Sequence, residues 1–129
     1  MHPTKVLIAD DSRTIRALAR RALAGAGFDV MLACDGREAV QLARRDHPDL
    51  VILDIQMPEM DGYTACETIL ANADWCPDLP IIFLTKDAAT HLETLGSELG
   101  AYLKKPVSEE TLLDTVRSLL DQRSASHVC

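Results

Sequence analysis

Lys5-Val-Leu-Ile-Ala-Asp10-Asp11 and Asp49-Leu-Val-Ile-Leu-Asp54-Ile-Gln56-Met-Pro-Glu-Met-Asp61-Gly62 carry two short apolar runs that each stop on acid. Neither run alternates apolar with polar residues, and an unbroken run of that length reads as a strand covered on both faces. Such strands belong to parallel sheets, in which neighbouring strands end at the same edge. Asp10, Asp11 and Asp54 would then meet at one place. Carboxylates that close repel one another unless a cation lies between them, so the pattern predicts an oxygen-liganded divalent metal there.

Apolar runs at 30–33, 81–84 and 101–103 have the same character as those at 6–9 and 50–53. Between them lie longer stretches with helical spacing. In the first, Ile15, Leu18, Ala19, Ala22 and Leu23 share one face, while Arg13, Arg16 and Arg20 share another. Asp11 or Ser12 can cap its start, and Gly25 to Gly27 closes it. The last stretch opens on Ser108-Glu109-Glu110, with acids in the first turn, and continues through Leu112, Leu113, Val116, Leu119 and Leu120. The order is strand then helix, five times over. Right-handed crossovers bury such a sheet between two helical layers. The expected fold is an α/β, doubly wound, flavodoxin-like three-layer sandwich with a parallel sheet. A strand order of 2-1-3-4-5 is adopted because it sets the ends of the first and third strands beside the topological switch point, where ligands bind.

The 129 residues suit one domain over 1–129, with a core at about 5–120 and a polar tail from Arg123 expected to fray. No separate output domain fits in that length. Aromatic residues make up only 4%, so Leu, Ile, Val and Ala must fill the core. A net charge of -7 and a pI near 4.9 argue against non-specific affinity for nucleic acid or an acidic membrane, and neither is expected as a partner. No stretch has the length of a membrane span. Cys34, Cys66, Cys76 and Cys129 form no CxxC pair, and Met1-His2-Pro3-Thr4 opens no apolar leader, so reduced thiols in a cytoplasmic protein are expected.

An acidic pair after a strand often only caps a helix. Asp54 raises the functional reading, because Ile55-Gln56-Met57-Pro58 is no helix-capping context. Two further strand ends supply complementary groups: Thr85 after the run at 81–84, and Lys105 before Pro106. An ionised Asp54 is an oxygen nucleophile toward phosphorus. A metal would neutralise the phosphoryl oxygens, and Thr85 and Lys105 could bind those that remain. Hydrolysing an aspartyl phosphate takes a positioned water helped by a general base. Position 56 is Gln, so the Asp-x-Asp signature of haloacid-dehalogenase phosphatases is absent. The expected product is an acyl phosphate kept for a time as a signal, not an enzyme's transient intermediate.

On these motifs the chain resembles the receiver domain of bacterial two-component response regulators, of the single-domain, chemotaxis-regulator-like type. The motifs are Ala-Asp-Asp-Ser at 9–12, Leu-Asp-Ile-Gln-Met-Pro-Glu-Met-Asp-Gly at 53–62, Phe-Leu-Thr at 83–85 and Tyr-Leu-Lys-Lys-Pro at 102–106. The resemblance implies that Asp54 takes phosphate from a phosphohistidine of a sensor histidine kinase or histidine phosphotransfer protein. It implies that Asp11, Asp54 and the Gln56 carbonyl bind Mg²⁺ (or Mn²⁺ in its place), with Asp10 acting largely through water. It assigns phosphate binding to Lys105 and a cis peptide to Lys105–Pro106. Lys104 is the rival, but on a strand it should face the other way. The family also implies a switch. Thr85 follows the phosphoryl group, Tyr102 turns inward behind it, and a downstream protein reads the face made by the fourth helix, fifth strand and fifth helix. Gln56 and Asp87 occupy the positions that tune dephosphorylation.

Two departures stand out. Lys86 follows Thr85 where a small residue is usual, and two residues common before Tyr102 are missing after Gly100-Ala101. The arginines of the first helix read as a solvated face with a possible share in kinase docking. His2, His47, His91 and His127 form no cluster, and Trp75 could cover the sheet edge or meet a partner. Rival readings are a fragment of a larger regulator or hybrid kinase, a receiver-like scaffold that is never phosphorylated, and a flavin carrier. Against the last, Asp10-Asp11 would repel a flavin phosphate.

Overall fold

Strands that are apolar on both faces need cover on both sides, and the chain supplies it by alternating elements. The structure is a computed structural model that describes residues 3–76, 78–86 and 100–126. Strands β1 (Lys5–Ala9), β2 (Asp29–Ala33), β3 (Leu50–Asp54), β4 (Ile81–Thr85) and β5 (Gly100–Lys104) form one parallel sheet. Its order is β2-β1-β3-β4-β5, as expected. Helices α1 (Arg13–Gly25), α2 (Gly36–Asp46) and α3 (Gly62–Ala71) connect the first four strands, and a C-terminal helix spans Glu109–Ser126. The expected fourth crossover helix and Asp87 lie outside the described residues. The C-terminal helix runs into the Arg123 segment that was expected to fray; the intervening residues contain neither Gly nor Pro to stop it.

Side chains alternate along each strand, so the sheet divides its own apolar residues between two cores. Leu7, Ala9, Val51, Leu53, Ile81 and Phe83 pack with Ala39, Ala43, Ala65 and Ile69 of α2 and α3. Val6, Ile8, Leu50, Ile52, Ile82 and Leu84 pack with Ala19 and Leu23 of α1 and with Leu112 and Val116. Side chains of this size contribute about 1.5–3 kcal/mol each when fully buried. Charges are left to the rims, as in the exposed Arg21–Glu109 pair at 2.8 Å between α1 and the C-terminal helix.

Local signals start the helices where the strands end. Ser12, not Asp11, caps α1, its hydroxyl accepting from the Ile15 amide. Asp35 and Asp61 cap α2 and α3 in the same way, through the Glu38 and Thr64 amides at 2.8 Å. His47 ends α2 in the left-handed conformation (φ 52°) and stacks on Trp75, with ring centroids 4.6 Å apart. The Trp75 indole N–H also donates to the Pro48 carbonyl at 2.9 Å. Trp75 is therefore fastened beside the start of β3, far from the acidic strand ends.

Candidate functional site

The register that joins β1 to β3 carries Ala9 alongside Leu53, so Asp10 and Asp54 leave the sheet together. Asp10 is fully buried and Asp54 nearly so, whereas Asp11 is exposed. One carboxylate oxygen from each of the three lies within 4.8 Å of the others. The backbone of Asp10 is held from two sides: its N–H donates to the Ala33 carbonyl at 3.1 Å, and its carbonyl accepts from Arg16 Nη1 at 2.7 Å. Asp10 Oδ1 accepts from the Ser12 amide at 2.9 Å.

Lys105 follows β5 and reaches back over the strand ends, while Lys104 points to solvent. Its Nζ stands 2.8 Å from Asp10 Oδ2 and 3.3 Å from Asp54 Oδ2. The closer approach lies off the direction a hydrogen bond needs, so the buried Asp10 Oδ2 keeps no hydrogen-bond donor among the described residues. A buried carboxylate oxygen left over beside two other acids is what a hard, oxygen-seeking cation requires, and the residues present fit a divalent metal. The Lys105–Pro106 peptide is cis.

Electrostatics separate the two buried acids. Burial, reinforced by the Asp10 charge, pushes the Asp54 carboxyl up to about 6, against the pull of Lys105 and of the Gln56 amide. For Lys105, burial works downward, but the close carboxylates of Asp10 and then Asp54 outweigh it and raise the ammonium above its ordinary value. The ammonium sits nearer Asp10, so Asp54 is left as the less compensated acid. Thr85 closes β4 at the same edge and is almost fully buried. Its carbonyl accepts from the Lys105 amide at 2.7 Å. In front lies a cleft of about 400 Å³ lined by Asp11, Ser12, Ile15, Lys86, Lys105 and Pro106. Lys86 is exposed at its mouth, so this departure adds a second lysine to the cleft.

Sequence reasoning missed two supporting residues. Arg16 looked like part of a solvated face, yet it holds the Asp10 carbonyl; its place one helical turn beyond Ser12 was the available clue. Gly62 opens α3 with its N–H donating to the Ile55 carbonyl at 2.9 Å. A Cβ there would meet the Asp54 carbonyl oxygen at 2.4 Å and Ile55 Cα at 3.0 Å. Alanine is normally favoured over glycine in a helix by about 1 kcal/mol. Here the clash with backbone should win, and Gly62→Ala should destabilise by about 2 kcal/mol net. A thermal melt that rises or stays level in this variant would show that the α3 start can retreat from Asp54.

Residues 6–117 match the response regulator receiver domain family. The chain belongs to that family. This receiver domain is 42% identical over 120 residues to response regulator MprA of Mycolicibacterium vanbaalenii, covering 92% of its own length and 51% of the relative's. It is 39% identical over 122 residues to the probable transcriptional regulator ycf27 of Porphyridium aerugineum, covering 93% and 49%. The chain thus spans about half the length of these curated relatives. Among solved structures it is similar to the chemotaxis protein CheY4 of Vibrio cholerae, with a TM-score of 0.83, 33% identity, and 92% and 99% of the two chains covered. A CheY-like receiver domain protein from Methanospirillum hungatei JF-1 matches with a TM-score of 0.87 over 98% and 100%; at 24% identity it supports the fold alone.

Proposed function

We propose that the chain is a phosphorylation-controlled switch in which Asp54 accepts a phosphoryl group from a sensor histidine kinase or histidine phosphotransfer protein. The observation that carries this reading is the grouping of buried Asp10 and Asp54 with exposed Asp11 and with Lys105 at one sheet edge, inside the stretch that the family model matches. An Asp54 oxygen attacks phosphorus, the phosphorus–nitrogen bond of the donor breaks, and the imidazole leaves with its electron pair. Asp11, Asp54 and the Gln56 carbonyl would hold Mg²⁺ or Mn²⁺, with Asp10 acting largely through water, and the ion would supply charge neutralisation for the phosphoryl oxygens. Lys105 and Thr85 bind the oxygens that remain. Gln56 and Asp87 occupy the positions that set the lifetime, and Gln56, an amide, offers no general base for the attacking water.

Output runs through protein contacts, with Thr85 and Tyr102 altering a surface that includes β5 and the C-terminal helix. A cytoplasmic location fits: among the described residues no helix is long and apolar enough to cross a membrane. A second reading is favoured by the half-length match to MprA and ycf27: the same switch forms the receiver part of a longer regulator, one that governs transcription. The acidity of this domain then leaves any nucleic-acid contact to the other part. Control of chemotaxis or motility finds its support in the likeness to the Vibrio cholerae protein.

The test is intact-mass measurement after incubation with acetyl phosphate and Mg²⁺. One phosphoryl group should be gained, removable by hydroxylamine as an acyl phosphate is, and chelation of the metal should suppress the gain. An unchanged mass under conditions that phosphorylate a known receiver would leave only the scaffold reading.

A further inference from the structure

Tyr63 is the second residue of α3, directly after the glycine that packs on the Asp54 carbonyl. Its ring lies 5.1 Å from that of the fully buried Phe83, tilted by 50°. On the other side of Phe83, and paired with it across β4 and β5, Tyr102 stacks at 5.1 Å and 24°. Over the top of Phe83 the two hydroxyls meet, Tyr63 Oη to Tyr102 Oη at 3.3 Å. Three aromatic rings and one hydroxyl bridge thus form a bracket from α3 to β5. Burial, and after it the bond to Tyr63, also pushes the Tyr102 phenol upward.

We propose that Tyr63 is a positioning residue for the switch: its hydroxyl holds Tyr102 inward against Phe83 and so favours the position that Tyr102 takes when Asp54 is occupied. The inference rests on the reading that Asp54 is the acceptor and Tyr102 the moving aromatic. Any rotation of Tyr102 off Phe83 breaks the ring contact and the hydroxyl bridge together. An interaction made only with Tyr102 inward favours that state, and a ligand that selects the inward state binds more tightly while the interaction is present. The Tyr63 ring contributes packing, so only its hydroxyl belongs to the latch. α3 begins on the backbone that carries Asp54, so the bracket also links the acceptor loop to the strand that reports on it.

The experiment measures binding of beryllofluoride, a phosphoryl mimic, with Mg²⁺ by calorimetry in the parent, Tyr63→Phe, Tyr102→Phe and the double variant. Tyr63→Phe keeps the ring and should bind about threefold more weakly, within the range for one partly exposed hydrogen bond. In the Tyr102→Phe background, Tyr63→Phe should have no further effect, a coupling that loss of helix packing alone would not produce. Equal or tighter binding by Tyr63→Phe, or an effect that persists without the Tyr102 hydroxyl, overturns the latch. If the parent binds no beryllofluoride while a known receiver does, the acceptor reading falls as well, so the two failures are told apart.

Discussion

Asp54→Asn should gain no phosphoryl group from acetyl phosphate and Mg²⁺, and in metal-free buffer at neutral pH it should melt at a higher temperature than the parent. An amide has no charge and no nucleophilic oxygen to offer phosphorus, so the first effect is all or none. The second follows from the raised carboxyl, which moves from 3.8 to about 6 in the folded protein. The folded state then binds more protons than the unfolded state between those values, and stability falls as pH rises through that window. Above about pH 6 the whole cost is present. A shift of this size corresponds to about 1–3 kcal/mol, the lower part allowing for the open cleft beside Asp11. The asparagine escapes that cost. Its advantage should shrink on acidification and vanish below about pH 4, where the native carboxyl is neutral in both states. Labelling that survives in Asp54→Asn would put the acceptor elsewhere. A melting difference independent of pH would deny that buried charge is its source.

Removing the counter-charge should do the reverse. Lys105→Ala leaves Asp10 and Asp54 facing each other without the ammonium that stands 2.8 Å and 3.3 Å away. Breaking a buried ion pair from one side costs about 3–5 kcal/mol, and a site that opens onto a cleft should show about 3 kcal/mol of it. Because the cost is mutual repulsion, Mg²⁺ should restore stability to this variant by more than it adds to the parent, through binding to the folded state alone. Phosphoryl incorporation should also slow, since one cation facing the transferred oxygens is gone. Lys104→Ala, at the exposed neighbouring position, should melt within about 0.5 kcal/mol of the parent. Equal losses from the two lysines would mean that the strand end, not the charge, is what Lys105 supplies.

The acidic strand ends are both the functional set and the weak point of the fold. Asp10 is fully buried beside two other acids, and its Oδ2 has no hydrogen-bond donor among the described residues. Sites of this kind are kept because they act, at the expense of stability. The surroundings limit the damage: the Ser12 amide, the Arg16 guanidinium and the Ala33 carbonyl hold Asp10 through local bonds that its acidity does not disturb.

The sheet and the acidic cluster at its edge were legible in the linear order because both are period and position effects. Continuous apolar runs specify strands covered on two faces, and an acid directly after such a run must leave the sheet at its carboxyl edge. Hence Asp10, Asp54, Thr85 and Lys105 could be named together from their places at strand ends, while the first helix offered two caps, Asp11 and Ser12, of which the structure uses Ser12. Tertiary structure alone decided which side chains act across elements. Arg16 reads as one more arginine on a polar helix face until β1 is laid against that helix. Gly62 is one more glycine until its missing Cβ is set 2.4 Å from the Asp54 carbonyl. Tyr63 and Tyr102 are 39 residues apart and meet only because β4 places Phe83 between them. Periodicity encodes which face of an element is apolar; contact between faces depends on the spacing and tilt of packed layers, which no single segment contains.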